Sequence, residues 1–167
     1  PYKVDKVLAR RFGDCKDKAS LMNALLRVAG IDSRLVLLRM KRLGKLKPYP
    51  ASLAVFDHAI LYVPKYDLFL DGTAELHGTG ELPVQDRGAT VLVVQPDGGS
   101  VLGEVPEAKA ADNLIASEYE VALSRAGDAT ISGKTVVQGL PAPSYRRTYQ
   151  SPATRKQHYE QGWARTF

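Results

Sequence analysis

Between positions 54 and 71 the chain reads AVFDHAILYV, then Pro-Lys, then YDLFLD. Two runs of branched and aromatic residues flank a break that leaves room only for a reversal, which predicts adjacent antiparallel strands over 54–63 and 66–71. Gly72 and Thr73 close the second strand. With a two-residue connection at Pro64 and Lys65, Val63 faces Tyr66 and His58 falls opposite Asp71, on one face with Cβ atoms about 4.5–5.5 Å apart. A four-residue connection makes the pair diagonal neighbours on the same face. An odd-length one moves one partner to the other face. Phe56, Ile60, Tyr62 and Phe69 share the face of His58 in this reading, so the imidazole and carboxylate are partly desolvated and attract more strongly.

The chain has one cysteine, Cys15. It can form no internal disulfide and no cysteine-based metal site, which leaves an inert buried thiol or a nucleophile. Cys15, Ala19, Met22, Leu26 and Ala29 recur at helical spacing, and Leu21, Leu25 and Val28 widen the stripe. This predicts a heavily buried helix over 15–29, capped by Asp14 and ended by Gly30. Cys15 then lies in the first turn, at the positive end of the helix dipole, one of the settings that favour a thiolate. A nucleophile also needs a base within hydrogen-bond reach, itself held by a third group. Of the three histidines, 58, 77 and 158, only His58 lies inside a strong strand; His77 and His158 read as surface residues.

Further strands are expected over 34–39 and 89–95, the latter ended by Pro96-Asp97-Gly98-Gly99. The linker-like run over 106–112 divides a core, 1–107, from a β-rich extension, 108–167, read as part of a following domain. In the extension, strands are expected over 118–125 and 129–137, a third over 145–150, and a helix over 151–163 with Ser151 as cap and Pro152 in its first turn. Lys41, Arg42, Lys45 and Lys47, next to Gly44, Pro48 and Pro50, form a loop whose charges are read as solvated. With a net charge of +5 and no zinc spacing, phosphate loop or stacking-aromatic pattern, nothing calls for a nucleic acid, a cofactor or a metal. No apolar run is long enough for a membrane-spanning helix. The start at Pro1, without a methionine or a signal pattern, reads as a piece of a longer protein.

The segment Arg11 to Ala19 (RFGDCKDKA), followed by LMNALLRVAGI, resembles the nucleophile helix of bacterial transglutaminase-like proteins. FDHAILYVP and LFLDGT are similar to the histidine and aspartate strands of the same family, in the same order, and the likeness runs from about position 10 to 94. The resemblance implies an α+β, papain-related fold, in which the Cys15 helix packs on an antiparallel sheet that carries His58 and Asp71. It implies Cys15 as nucleophile, His58 as base and Asp71 as orienter, acting on peptide or protein amides through a thioester. Hydrolysis is expected ahead of crosslinking, and a binding module that keeps the fold without catalysis is the alternative. An exported bacterial protein is the expected setting. The oxyanion hole would use the Cys15 N–H and a second donor that the sequence does not identify, and Asp17 and Lys18 read as structural contacts.

Overall fold

Asp14 starts the helix that carries Cys15. The computed structural model describes residues 1–47 and 50–164. In it the Asp14 side chain accepts from Asp17 N–H at 3.0 Å, and the Asp17 carboxylate accepts from Asp14 N–H at 3.3 Å. This reciprocal box opens α2 (Cys15–Val28), and the loss of such a cap typically costs about 0.5–2 kcal/mol. At the far end Gly30 takes φ +74°, with Gly30 N–H bonded to Arg27 O and Ile31 N–H to Leu26 O. These paired bonds are a Schellman close of the helix. A short helix that the sequence reading did not include, α1 (Val4–Arg10), precedes it. The close approach of α1 to α2 depends on Gly13, where a Cβ would stand 2.6 Å from Asp17 Cβ.

The chain divides into two compact units, Pro1–Ala108 and Lys109–Phe167. The first holds a five-stranded antiparallel sheet: β1 (Arg34–Arg39), β2 (His58–Val63), β3 (Leu68–Leu70), β4 (Thr90–Val94) and β5 (Ser100–Glu104), in the order β3-β2-β1-β4-β5. Val36, Leu38, Ile60 and Val91, joined by Leu82, Ala89 and Val105, make the buried core, with Tyr62 and Phe69 packed on its margin. The α+β architecture is the expected one, with α2 packed against β2 and β1.

Several local expectations are corrected. β2 begins at His58, not at 54, because Leu53–Val55 forms a 3₁₀ turn and Asp57 turns its carboxylate back to accept from Met40 N–H at 2.9 Å. Phe56 therefore lies outside the alternating strand pattern. It lines a groove with Leu92 and Leu102, residues of opposite pleat to the core-facing Val91. Tyr66 belongs to a 3₁₀ turn (Pro64–Tyr66), and Asp67 takes φ +47°, so the connection has four residues and Val63 pairs with Leu68. Extension of that register puts Asp71 diagonal to His58, the second of the expected arrangements. α2 is less buried than its wide apolar arc suggested: Leu25 and Val28 are 52% and 89% exposed, because one sheet face covers only part of the arc. β5 was not expected; it pairs with β4 across the Gly98-Gly99 turn.

In the second unit β6 (Leu114–Leu123) and β7 (Ala129–Gln138) form a hairpin across the expected turn. The segment read as a third strand is instead helix α3 (Ala142–Tyr149), which starts behind Pro141. Fixed near −65°, the proline φ suits a helix start. α4 (Pro152–Trp163) has Ser151 at its N-cap and Pro152 in its first turn as expected, although the Ser151 side chain makes no capping bond. Tyr149 stacks on Tyr159 at 4.4 Å between ring centres, which ties the two helices together.

Candidate active site

Three elements converge at the start of β2. The capping box sets Cys15 at the first position of α2, half-buried, where the leading N–H groups of a helix lack intrahelical partners. The Asp17 side of that box is firmly held: its carboxylate is 2% exposed and also accepts from Tyr2 N–H at 2.7 Å, with Arg10 paired to it at 3.3 Å. Asp17 is thus the structural contact expected of it. Beside the thiol, the ammonium of Lys16 is stabilised first by its hydrogen bond to Asp14 and then by negative charge at Cys15, which raises its pKa.

His58 Nε2 lies 3.0 Å from Asp71 Oδ2, and the two side chains are 5% and 2% exposed. Gly72 allows this approach: a Cβ there would stand 2.6 Å from Met22 Sδ and 3.3 Å from Lys18 Cβ, so only glycine lets the end of β3 lie against α2. Thr73, which the sequence reading treated only as a strand close, orients the carboxylate. Its N–H and Oγ1 lie 2.7 and 2.8 Å from Asp71 Oδ1, and Oγ1 lies 2.9 Å from Oδ2. The Asp-Gly-Thr order carried that signal, since an aspartate commonly bonds the backbone two residues on. Burial alone would raise the Asp71 pKa, but the bonds from His58 and Thr73 outweigh it and hold Asp71 below the ordinary carboxylate range. Burial likewise works against a charged His58 ring. The hydrogen bond and charge of Asp71, a hydrogen bond with the Cys15 side chain and the charge of Asp86 more than offset it, raising His58 to about 9.

Residues 1–61 match the family model of the transglutaminase-like superfamily. Over that stretch the first unit is similar to the transglutaminase-like superfamily. The match spans Cys15 and His58 and ends before Asp71, so it is shorter on that side than the likeness read from the sequence. The superfamily is in general one of cysteine enzymes. Comparisons with curated proteins and with solved structures found no match.

The first unit holds one further buried ionisable group that no motif announced. Asp86, 1% exposed, comes from the loop before β4, and its carboxylate converges on His58 and Asp71 with one donor or acceptor atom of each within 4.8 Å of the others. Among the described residues this is the one grouping with metal-like convergence. Within this grouping His58 and Asp71 are already hydrogen-bonded to each other, which suits it to hold protons. The basic loop is less free than expected: Lys41 pairs with Glu107 at 2.8 Å and Arg42 with Asp57 at 2.5 Å. Pro48, read as part of that loop, lies outside the described residues. His77 and His158 stand outside this cluster; His77 bonds the carbonyl of Glu75 at 2.9 Å. No helix among the described residues is long and apolar enough to cross a membrane.

Proposed function

We propose that the first unit is a thiol-dependent acyl-transfer enzyme that acts on peptide or protein amides, with Cys15 as nucleophile, His58 as general acid and base, and Asp71 as the group that orients His58. The reading rests above all on one observation: a buried His58–Asp71 pair at 3.0 Å on the strand against which the Cys15 helix packs, with the Cys15 side chain among the groups that raise the His58 pKa. Asp71 engages Nε2, which leaves Nδ1 as the nitrogen that exchanges a proton with the thiol. A ring held protonated to about 9 is an imidazolium at neutral pH, the partner that keeps a cysteine as thiolate.

From that ion pair the chemistry proceeds in two halves. The Cys15 sulfur attacks the amide carbon, and the carbonyl electrons move onto oxygen, where the Cys15 N–H at the helix start is the first donor available to the oxyanion. The C–N bond then breaks, the leaving amine takes the proton of His58, and a thioester remains. Neutral His58 next takes a proton from water or from an incoming amine. That nucleophile attacks the thioester, and the sulfur leaves as thiolate. Water gives hydrolysis and a lysine amine gives an isopeptide bond. Hydrolysis is the favoured outcome in this proposal. Mass spectrometry of a glutamine peptide incubated with the protein and an amine donor decides between them. Cleaved or deamidated peptide supports hydrolysis, and amine incorporation without cleavage replaces it with crosslinking. No change in either peptide or amine, with Cys15 unreactive, leaves a transglutaminase-like fold used only for binding.

A further inference from the structure

Asp86 has no role in the chemistry above, yet the fold goes to some length to bury it. Its loop is pinned on both sides. Lys41 N–H bonds Gln85 O at 2.9 Å and Arg42 N–H bonds Gln85 Oε1 at 3.0 Å, while Asp86 N–H bonds Pro83 O and Ala89 N–H bonds Asp86 O. The side chain so placed is buried, and as a carboxylate neither of its oxygens has a hydrogen-bond partner. A buried acceptor left without a donor is costly, more so when it is charged and beside a second carboxylate. The groups that face it are Asp71, His58 and, before β2, Asp57, whose own charge is paired with Arg42. On its own loop, Arg87 turns one guanidinium nitrogen to Gly80 O.

Asp71 supplies the complementary vacancy. A carboxylate offers about four lone-pair positions. Asp71 receives three protons, from His58, from Thr73 N–H and from the single hydroxyl of Thr73, so one acceptor position is open. We propose that Asp86 is a positioning residue of this site: as a neutral carboxylic acid it donates its proton to Asp71, completing the hydrogen bonds that hold the carboxylate against His58. The inference rests on the triad reading above. Burial, and next the negative charge of Asp71, push the Asp86 pKa up to about 7, with the charge of His58 opposing them. Loss of the Asp86 proton above neutrality thus breaks the bond to Asp71 and adds a second negative charge beside the imidazolium. That charge holds the His58 proton more tightly and slows its delivery to the leaving amine.

The test uses the full chain with 13C-labelled aspartate carboxyl groups, the Asp86 signal being assigned by its loss in Asp86→Asn. A midpoint near 7 for Asp86, with Asp71 ionised throughout, is the expected result; titration of Asp86 in the ordinary carboxylate range overturns the proposal. Cys15 alkylation supplies the second readout. Asp86→Asn keeps a neutral donor and stays within about threefold of the parent rate, whereas Asp86→Ala slows it about tenfold or more, the size of effect of one lost hydrogen bond to a charged group. Equal rates in all three proteins, or an Asp86→Asn variant as slow as Asp86→Ala, contradict a donor role. The carboxyl titration reads the Asp71–Asp86 bond whether or not Cys15 turns over substrate. Failure of the triad reading, seen as alkylation indifferent to His58→Ala, is therefore told apart from failure of this one.

Discussion

Strands β2 and β6 are both rich in branched and aromatic residues, and their environments differ completely. Five of the six residues of β2 are buried, whereas all ten of β6 are exposed, including Ile115, Tyr119, Val121 and Leu123. Local propensity builds a strand in either unit, but β2 has neighbours on both edges of a five-stranded sheet and α2 packed against it, whereas β6 belongs to a two-stranded sheet. The lesson concerns chemistry. A histidine on β6 would be an ordinary surface group, whereas on β2 burial strengthens its bond to Asp71 and makes every nearby proton matter.

This contrast can be broken or sharpened by substitution. The largest effect is expected at the site: His58→Ala slows Cys15 alkylation at mildly acidic pH by about 100-fold or more, the usual scale of a lost general base, whereas His158→Ala leaves the rate unchanged. Next comes the core. Ile60→Ala, at a fully buried position, costs about 2–5 kcal/mol in chemical denaturation, whereas Val121→Ala on β6 falls within about 0.5 kcal/mol. A similar loss for the two would deny the difference between the units. Gly72→Ala drives a methyl group against Met22 Sδ and costs about 1–3 kcal/mol by the same assay. It also lowers alkylation, because Asp71 is displaced from His58.

A smaller effect lies in the pH dependence of stability. The His58 pKa is raised from 6.5 to about 9, so its pairing stabilises fully below about 6.5 and that contribution is lost as pH rises through 9. The Asp71 pKa is lowered, so its contribution is present above its ordinary value of 3.8 and lost as pH falls further. The Asp86 pKa is raised from 3.8 to about 7, which adds a decline across that interval. Melting temperature against pH is thus expected to fall between about 6.5 and 9 in the parent protein and to be nearly flat there in Asp71→Asn. A flat parent curve would contradict the raised His58.

Much of this was legible because it is local. The Asp14 cap, the Gly30 close, β1 and the β6–β7 hairpin follow from capping, spacing and turn residues. What escaped depended on partners distant in sequence. Tyr66 has strand propensity, but the left-handed Asp67 turns it into a four-residue connection and moves the register by two. Residues 145–150 resemble a strand by composition, and 145–149 are helical because Pro141 starts a turn and Tyr149 finds Tyr159 to stack on. Cys15, His58 and Asp71 could be named from their segments. Thr73 was visible in Asp-Gly-Thr but passed over, and Asp86 lies in no pattern at all, since its meaning comes from the carboxylate it meets in the fold.

The most direct test of the central claim is the alkylation rate of Cys15 as a function of pH, in the parent chain and in His58→Ala. The account predicts rapid labelling well below the free-thiol midpoint of about 8.5 and its loss in the variant. Slow labelling that follows an ordinary thiol titration, identical in both proteins, would contradict it.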